Sequence, residues 1–206
     1  DTRTMRISGC EALCRWDHPE FGPISPGVFI PIAEETGAIS DLTRFMLETA
    51  AADCATWVGD VTVAVNLSAI DFRSANLEDM VRVAIGKARL DPSRLEVEVT
   101  ESAILEDQSS ASKVLSRLKD SGIKIALDDF RTGYSSLSYL HNLPLDKVKI
   151  DQSFVRGIVG DERSLKLVSG VTHLAKELGL KVTIEGVETL EQFERLRESA
   201  YTDLVQ

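Results

Sequence analysis

Ile123-Lys124-Ile125-Ala126-Leu127-Asp128-Asp129 reads as a short apolar strand, Ile123 to Leu127, running directly into two carboxylates. Neighbouring residues inside a regular strand point to opposite faces, so an adjacent Asp pair within one could not serve a single centre. At a strand's end that restriction lifts. With the chain turning into Phe130-Arg131-Thr132-Gly133, both carboxylates reach the same rim. Taken alone, Asp128-Asp129 reads better as an acidic turn capping the next helix. The balance shifts only because similar polar strand ends recur along the chain.

Working outward, the other strand candidates are Ile7 to Trp16, Val61 to Leu67, Leu95 to Val99, Lys147 to Ile150, Lys181 to Ile184 and Leu204 to Val205. Between them, Pro26 to Glu35, Asp41 to Val58, Leu77 to Ala88, Ser109 to Asp120, Arg163 to Leu178 and Leu190 to Ser199 carry apolar residues at helical spacing. Gly37, Gly122 and Gly179 follow three of these as helix stops. Strand-helix alternation predicts a parallel sheet with helices outside, either an open doubly wound sheet or a (β/α)8 TIM-like barrel. Asn66, Glu98, Asp128, Lys149, Glu185 and Gln206 sit at or just past strand ends. Contributions from so many strands favour the barrel, whose rim gathers residues from all of them, over a sheet with one crevice. Seven visible strands imply that one is lost, before Asp1.

The 206 residues, 43% of them hydrophobic, suit a single domain, 1–206, excised from a longer protein that opens before Asp1. Twenty-three Lys and Arg against thirty-three Asp and Glu give a net charge of -10, which argues against binding a nucleic-acid polymer. Cys10, Cys14 and Cys54 lack zinc-site spacing and are read as reduced thiols. No stretch approaches the roughly 18 continuous apolar residues of a membrane span, and no signal pattern opens the chain. The expectation is a cytoplasmic domain, compatible with a membrane-tethered full-length protein.

Glu11, Asn66, Glu98, Asp128, Asp129, Asp151 and Glu185 form one acidic ring when taken together. Such a ring repels itself without cations. Hard oxygen ligands with an Asn carbonyl, and no His or Cys beside them, select Mg²⁺ or Mn²⁺ over zinc. Two metals about 3.5 to 4 Å apart could share Asp128 or Asp129 as a bridge. Lys149 ends an otherwise apolar strand. It can orient or help deprotonate an attacking water, form an ion pair with Asp151 or Glu185, or make a Schiff base with a carbonyl substrate. Asn66-Leu67-Ser68 offers a metal ligand or a helix cap. His18, His141 and His173 are too scattered for a metal cluster, and Gly133-Tyr134-Ser135-Ser136-Leu137 reads as a loop that gates the site or merely connects.

The motifs resemble the EAL-domain family of cyclic di-GMP-specific phosphodiesterases over nearly the whole chain. Glu11-Ala12-Leu13-Cys14-Arg15-Trp16 is similar to the name-giving motif, followed by His18-Pro19, Gly22, Ile24, Pro26, Phe29-Ile30-Pro31 and Ala33-Glu34-Glu35. Asn66-Leu67-Ser68, Glu98-Val99-Thr100-Glu101-Ser102, Asp128-Asp129-Phe130, Lys149-Ile150-Asp151 with Ser153-Phe154, and Glu185-Gly186-Val187-Glu188 follow in family order.

The resemblance implies a (β/α)8-type barrel, here lacking its first strand and its closing C-terminal segment, that hydrolyses the second messenger cyclic di-GMP to linear pGpG. It implies Glu11, Asn66, Glu98, Asp128 and Asp129 as metal ligands, and Glu185 as ligand of the second metal or its water. Lys149 and Glu185 would be catalytic. Leu13, Arg15 and Gln206 would meet substrate, with Glu101 and Asp151 supporting loops. A homodimer and additional sensory or GGDEF-type domains are implied partners. Arg131 stands where the family loop usually has Gly, which would permit a positive φ that Arg resists. Its effect is either a distorted loop or an added phosphate contact. A cyclic di-GMP-binding module without turnover is the alternative reading, and a Schiff-base lyase using Lys149 is a third.

Overall fold

The computed structural model describes residues 1–74, 76–130, 142–199 and 202–206. They form two compact units, Gly9–Lys124 and Asp1–Ser8 with Ile125–Gln206.

In the Gly9–Lys124 unit, β1 (Gly9–Ala12), β4 (Thr62–Leu67) and β5 (Leu95–Thr100) pair in parallel in that spatial order. The register places Glu11 beside Ala64 and Asn66 beside Glu98. Because side chains alternate along a strand, Glu11, Ala64, Asn66, Glu96 and Glu98 share one face. Val63, Val65, Leu67, Leu95, Val97 and Val99 take the other and are buried. Two helices, α1 (Pro26–Thr36) and α2 (Ile39–Ala55), lead into β4. Pro26 starts α1 where its missing N–H is no loss, and Gly37, at φ +78°, ends it by adopting the left-handed conformation. The next helix, α3 (Leu77–Ala88), packs on α2, burying its Leu77, Val81 and Ala84 stripe in the same core as Leu47, Ala51 and Cys54. After β5 come a short α4 (Glu101–Glu106) and α5 (Gln108–Asp120).

The predicted strand Ile7 to Trp16 is shorter and divided. Its core is β1, while Trp16 starts an antiparallel hairpin of β2 (Trp16–His18) and β3 (Gly22–Ile24). The hairpin is held by aromatics: the Trp16 ring stands edge-on to Phe29 of α1 and to His18, both at 5.8 Å between centroids.

In the other unit, β6 (Lys124–Phe130), β7 (Lys147–Ile150), β8 (Lys181–Ile184) and β9 (Leu204–Val205) are parallel neighbours in chain order. The helices α6 (Glu162–Glu177) and α7 (Leu190–Ser199) follow β7 and β8. Val148, Ile150, Val182 and Ile184 are buried along with Val168, Ala175 and Leu196 of the two helices. Two acidic residues outside the ring pin strand starts. Asp146 Oδ2 accepts the Ile125 N–H at 2.9 Å, and Asp203 Oδ2 accepts that of Val182 at 2.9 Å. Thr2 ties residues 1–8 to this unit by donating to the Thr202 carbonyl at 2.7 Å.

No helix among the described residues is long and apolar enough to cross a membrane.

Candidate active site

Within the unit that carries β6, the Asp pair is not past the strand's end but inside it. Pairing with β7 shifts register between Leu127 and Phe130: Leu127 lies beside Val148, yet Phe130 lies beside Ile150. Three steps on β6 span two on β7, so one residue is extra, a β-bulge. Asp129 is that residue in conformation as well as count, with φ +53°. A regular strand would have placed Asp129 beside Ile150, facing the helices. The bulge instead gives that place to Phe130, which is 1% exposed, and turns Asp129 outward, exposed. The Asp129 N–H donates to Asp128 Oδ1 at 2.9 Å, a local bond by which the Asp128 side chain holds the backbone of the bulge.

Oxygen atoms of Asp128, Asp129 and Glu185 consequently lie within 4.8 Å of one another. Lys149 projects between them from β7. Its Nζ is 2.8 Å from Glu185 Oε1 and 3.3 Å from Asp128 Oδ1, with only 2% of the side chain exposed. Among the described residues the cluster's carboxylate donors are all oxygen, which fits a hard divalent cation.

Glu185 is aimed by its successor. Gly186 has φ +70°, and a Cβ there would stand 2.5 Å from Gln152 Cβ, so only glycine allows the chain to turn away at once. Asp151 is buried, and its Oδ1 accepts the Ser153 N–H at 3.1 Å to cap the 3₁₀ turn Gln152–Phe154 against which Gly186 packs. Gln206 is joined through its backbone, donating to the Ile184 carbonyl and accepting from the Val187 N–H.

The Gly9–Lys124 unit holds the other candidates. Asn66 Nδ2 donates to Glu11 Oε1 at 2.7 Å across β1 and β4, where small Ala64 beside Glu11 leaves room for the reach. Glu98, expected at a strand end, lies two residues inside β5 and is 3% exposed. Glu96, also buried, follows the same alternation two residues earlier. That periodicity was available in the sequence, and the reading of strand ends passed over it. Glu101 begins α4 directly after Thr100, whose hydroxyl accepts the Ala103 N–H at 3.2 Å.

Leu13 and Arg15 border a cleft of about 470 Å³ whose walls include Ile30, Glu34, Asn66, Ser68 and Ser102. Arg15 Nη1 donates to the Cys14 carbonyl at 3.0 Å, which holds the guanidinium beside the cleft. Behind this wall is a carboxyl that the sequence reading missed. Asp71 is fully buried, and its Oδ2 accepts both the Thr43 hydroxyl at 2.9 Å and the Ser68 N–H at 3.0 Å. Burial pushes its carboxyl above the ordinary range, against the opposing hydrogen bonds from Thr43 and Ser68, with the charge of Glu34 adding to the rise. The Ser-x-x-Asp spacing of Ser68 and Asp71 was its sequence signal.

Arg131, His141 and the tract 133–137 lie outside the described residues.

Parallel strands carrying carboxylates and alternating with helices define an acidic α/β domain. Its family is the EAL domain: the family model matches residues 1–206, and the chain belongs to that family. The bifunctional diguanylate cyclase/cyclic di-GMP phosphodiesterase MucR of Pseudomonas aeruginosa is 43% identical over 192 residues, 91% of this chain and 28% of the relative. A cyclic di-GMP phosphodiesterase of the same organism is 40% identical over 96% of this chain and 34% of its own length. The chain thus spans about a third or less of these relatives. Among solved structures, the MucR phosphodiesterase in complex with c-di-GMP superposes with a TM-score of 0.88 at 41% identity, covering 96% of this chain and 81% of that one. This likeness places the chain in the (β/α)8 barrel class that the strand-helix alternation and strand-end residues favoured.

Proposed function

We propose that this domain hydrolyses cyclic di-GMP to linear pGpG, assisted by two divalent cations, Mg²⁺ or Mn²⁺. The observation that carries the reading is Lys149 buried between Glu185 and Asp128, with Asp129 brought alongside by the bulge, in a chain of the EAL family. Asp128, Asp129 and Glu185 would hold cations in one unit; Glu11, Asn66 and Glu98 supply oxygen ligands in the other. Bound divalent cations supply neutralisation of a phosphodiester and a lowered pKa for a coordinated water.

The chain's own groups do the rest. Lys149 holds the Glu185 and Asp128 carboxylates in place, orients the nucleophilic water and offsets charge on the phosphoryl oxygens. Glu185 accepts a hydrogen bond from that water. Arg15 offers a planar cation to a phosphate, and Leu13 an apolar contact, at the cleft. Gln206 would complete the substrate contacts, with Glu101 and Asp151 holding the loops around them.

The reading extends to residues 1–206 as one EAL-type phosphodiesterase domain of a longer cytoplasmic or membrane-tethered protein. Sensory or GGDEF-type domains and a second copy of the chain are its proposed partners. Chromatographic detection of pGpG in metal-supplemented assays tests the reaction. Turnover that needs added Mg²⁺ or Mn²⁺ and disappears in Glu11→Ala is expected. Binding of cyclic di-GMP without turnover by metal-loaded full-length protein would establish a sensing module instead.

A further inference from the structure

Asp71 has the lowest exposure, 0%, of any charged side chain among the described residues, yet it takes no part in the proposed chemistry. It opens the 3₁₀ turn Asp71–Arg73 that follows β4. One oxygen, Oδ2, joins two elements, accepting from Thr43 of α2 at 2.9 Å and from the Ser68 backbone N–H at 3.0 Å. The connection continues to a third element, because Ser68 Oγ donates to Glu34 Oε1 of α1 at 2.6 Å. Ser68 Oγ also accepts the Ile70 N–H at 3.2 Å, and the Asp71 N–H returns to the Ser68 carbonyl at 3.0 Å, closing the turn.

Glu34, Thr43 and Ser68 all line the cleft, whereas Asp71 stands behind them. The other oxygen, Oδ1, is buried without a hydrogen-bond partner among the described residues. An unpartnered buried oxygen is destabilising, so a site that needed only filling would be better served by an apolar side chain. What Asp71 provides is a single acceptor that fixes the helix α2 hydroxyl and the β4 turn amide at once.

We infer that Asp71 is a positioning residue for ligand binding: through Thr43, Ser68 and Glu34 it sets the cleft wall that receives cyclic di-GMP. The inference rests on the proposed function, which names that ligand. Pre-organisation of the wall from three separate elements lowers the ordering that binding would otherwise require. The effect belongs to affinity more than to the chemical step, because Thr43, Ser68 and Glu34 line the cleft and none of them has a role in the proposed chemistry.

The test is calorimetric binding of cyclic di-GMP to the full chain in chelator, where no metal-assisted turnover intervenes. Asp71→Ala is expected to raise Kd about tenfold, the effect of losing buried hydrogen bonds at a wall. Asp71→Asn keeps an acceptor oxygen for both donors and is expected to restore binding to within about twofold. Leu115→Ala, a core truncation in the same unit, lowers Tm without changing Kd. Hydrogen exchange at the Ser68 amide adds a ligand-free readout: faster in Asp71→Ala, unchanged in Leu115→Ala.

An unchanged Kd in Asp71→Ala, an equal shift in Leu115→Ala, or an Asn variant as weak as the Ala variant overturns the inference. If Asp71→Ala does not fold, Thr43→Val removes one arm and should weaken binding about threefold; an unchanged Kd there is equally decisive against it. Wild-type protein that does not bind cyclic di-GMP overturns the functional reading, and Ser68 exchange then decides alone whether Asp71 holds the turn.

Discussion

Lys149 Nζ lies 2.8 Å from Glu185 Oε1, and the lysine is almost wholly enclosed while the carboxylate keeps 19% of its surface open. The pair joins neighbouring strands and leaves the acid, not the base, facing the outside. Ammonium burial is tolerable here because Asp128, 3.3 Å away, supplies a second counter-charge.

Lys149→Met keeps the length of the side chain and removes its charge. Turnover is expected to fall by at least about 100-fold, the lower range for a positioned acid-base or electrostatic group. Tm in chelator should fall as well, since Asp128 and Glu185 then repel each other. Added Mg²⁺ should recover more Tm in the variant than in wild type, which melting curves with and without metal will read.

Asp129 holds a left-handed conformation, φ +53°, that a side chain with a Cβ adopts at a cost of roughly 1–2 kcal/mol. Asp129→Gly relieves it and Asp129→Ala does not. In denaturant titrations the Gly variant is expected to be more stable than the Ala variant by about 1 kcal/mol. Both should lose turnover, because both lack the carboxylate.

Gly186→Ala would drive a Cβ to within 2.5 Å of Gln152 Cβ at φ +70°. A loss of about 2 kcal/mol or more is expected from backbone strain and overlap together. The displaced Glu185 should lower kcat. Gln152→Gly in the same chain removes one side of the overlap and should return part of the stability, as thermal denaturation of the double variant will test.

Asp71 gives a pH signature of opposite sign to the ordinary surface carboxylate. Its native carboxyl is raised above 3.8, so between that value and the native one the folded state holds the extra proton. Its contribution to stability is therefore present at low pH and lost as pH rises through the raised native pKa. The Tm difference, Asp71→Asn minus wild type, should grow from acid towards neutral pH. Glu34→Gln, by removing a neighbouring charge that adds to the rise, should reduce that growth.

Much of the architecture was legible because its signals are local. Pro26, Gly37 and the apolar stripe Leu77, Val81 and Ala84 locate α1 and α3 from neighbouring residues alone. Apolar runs such as Lys181 to Ile184 likewise appear with the bounds expected of them. The hairpin from Trp16 to Ile24 was missed because its two strands are only three residues each, too short for a periodic signal, and Trp16 is fixed by packing on Phe29 of α1. Glu98 was recognised near the end of the strand Leu95 to Val99, and β5 runs one residue further, to Thr100, with Glu98 beside Asn66 of β4. Asp71 and Thr43 are far apart in the chain, and no spacing rule connects them.

The sequence by itself determined the alternation of strand and helix, the family and the inventory of acids, because these follow from side-chain period and motif order. Tertiary structure decided that Asp128 and Asp129 serve one side. Their separation by a single residue forbids it in a regular strand, and the bulge that permits it exists only relative to β7, where Phe130 takes the place beside Ile150. It also decided that Lys149 is enclosed, since the charges that make its burial tolerable come from Asp128 inside β6 and Glu185 just after β8, which no local signal brings together.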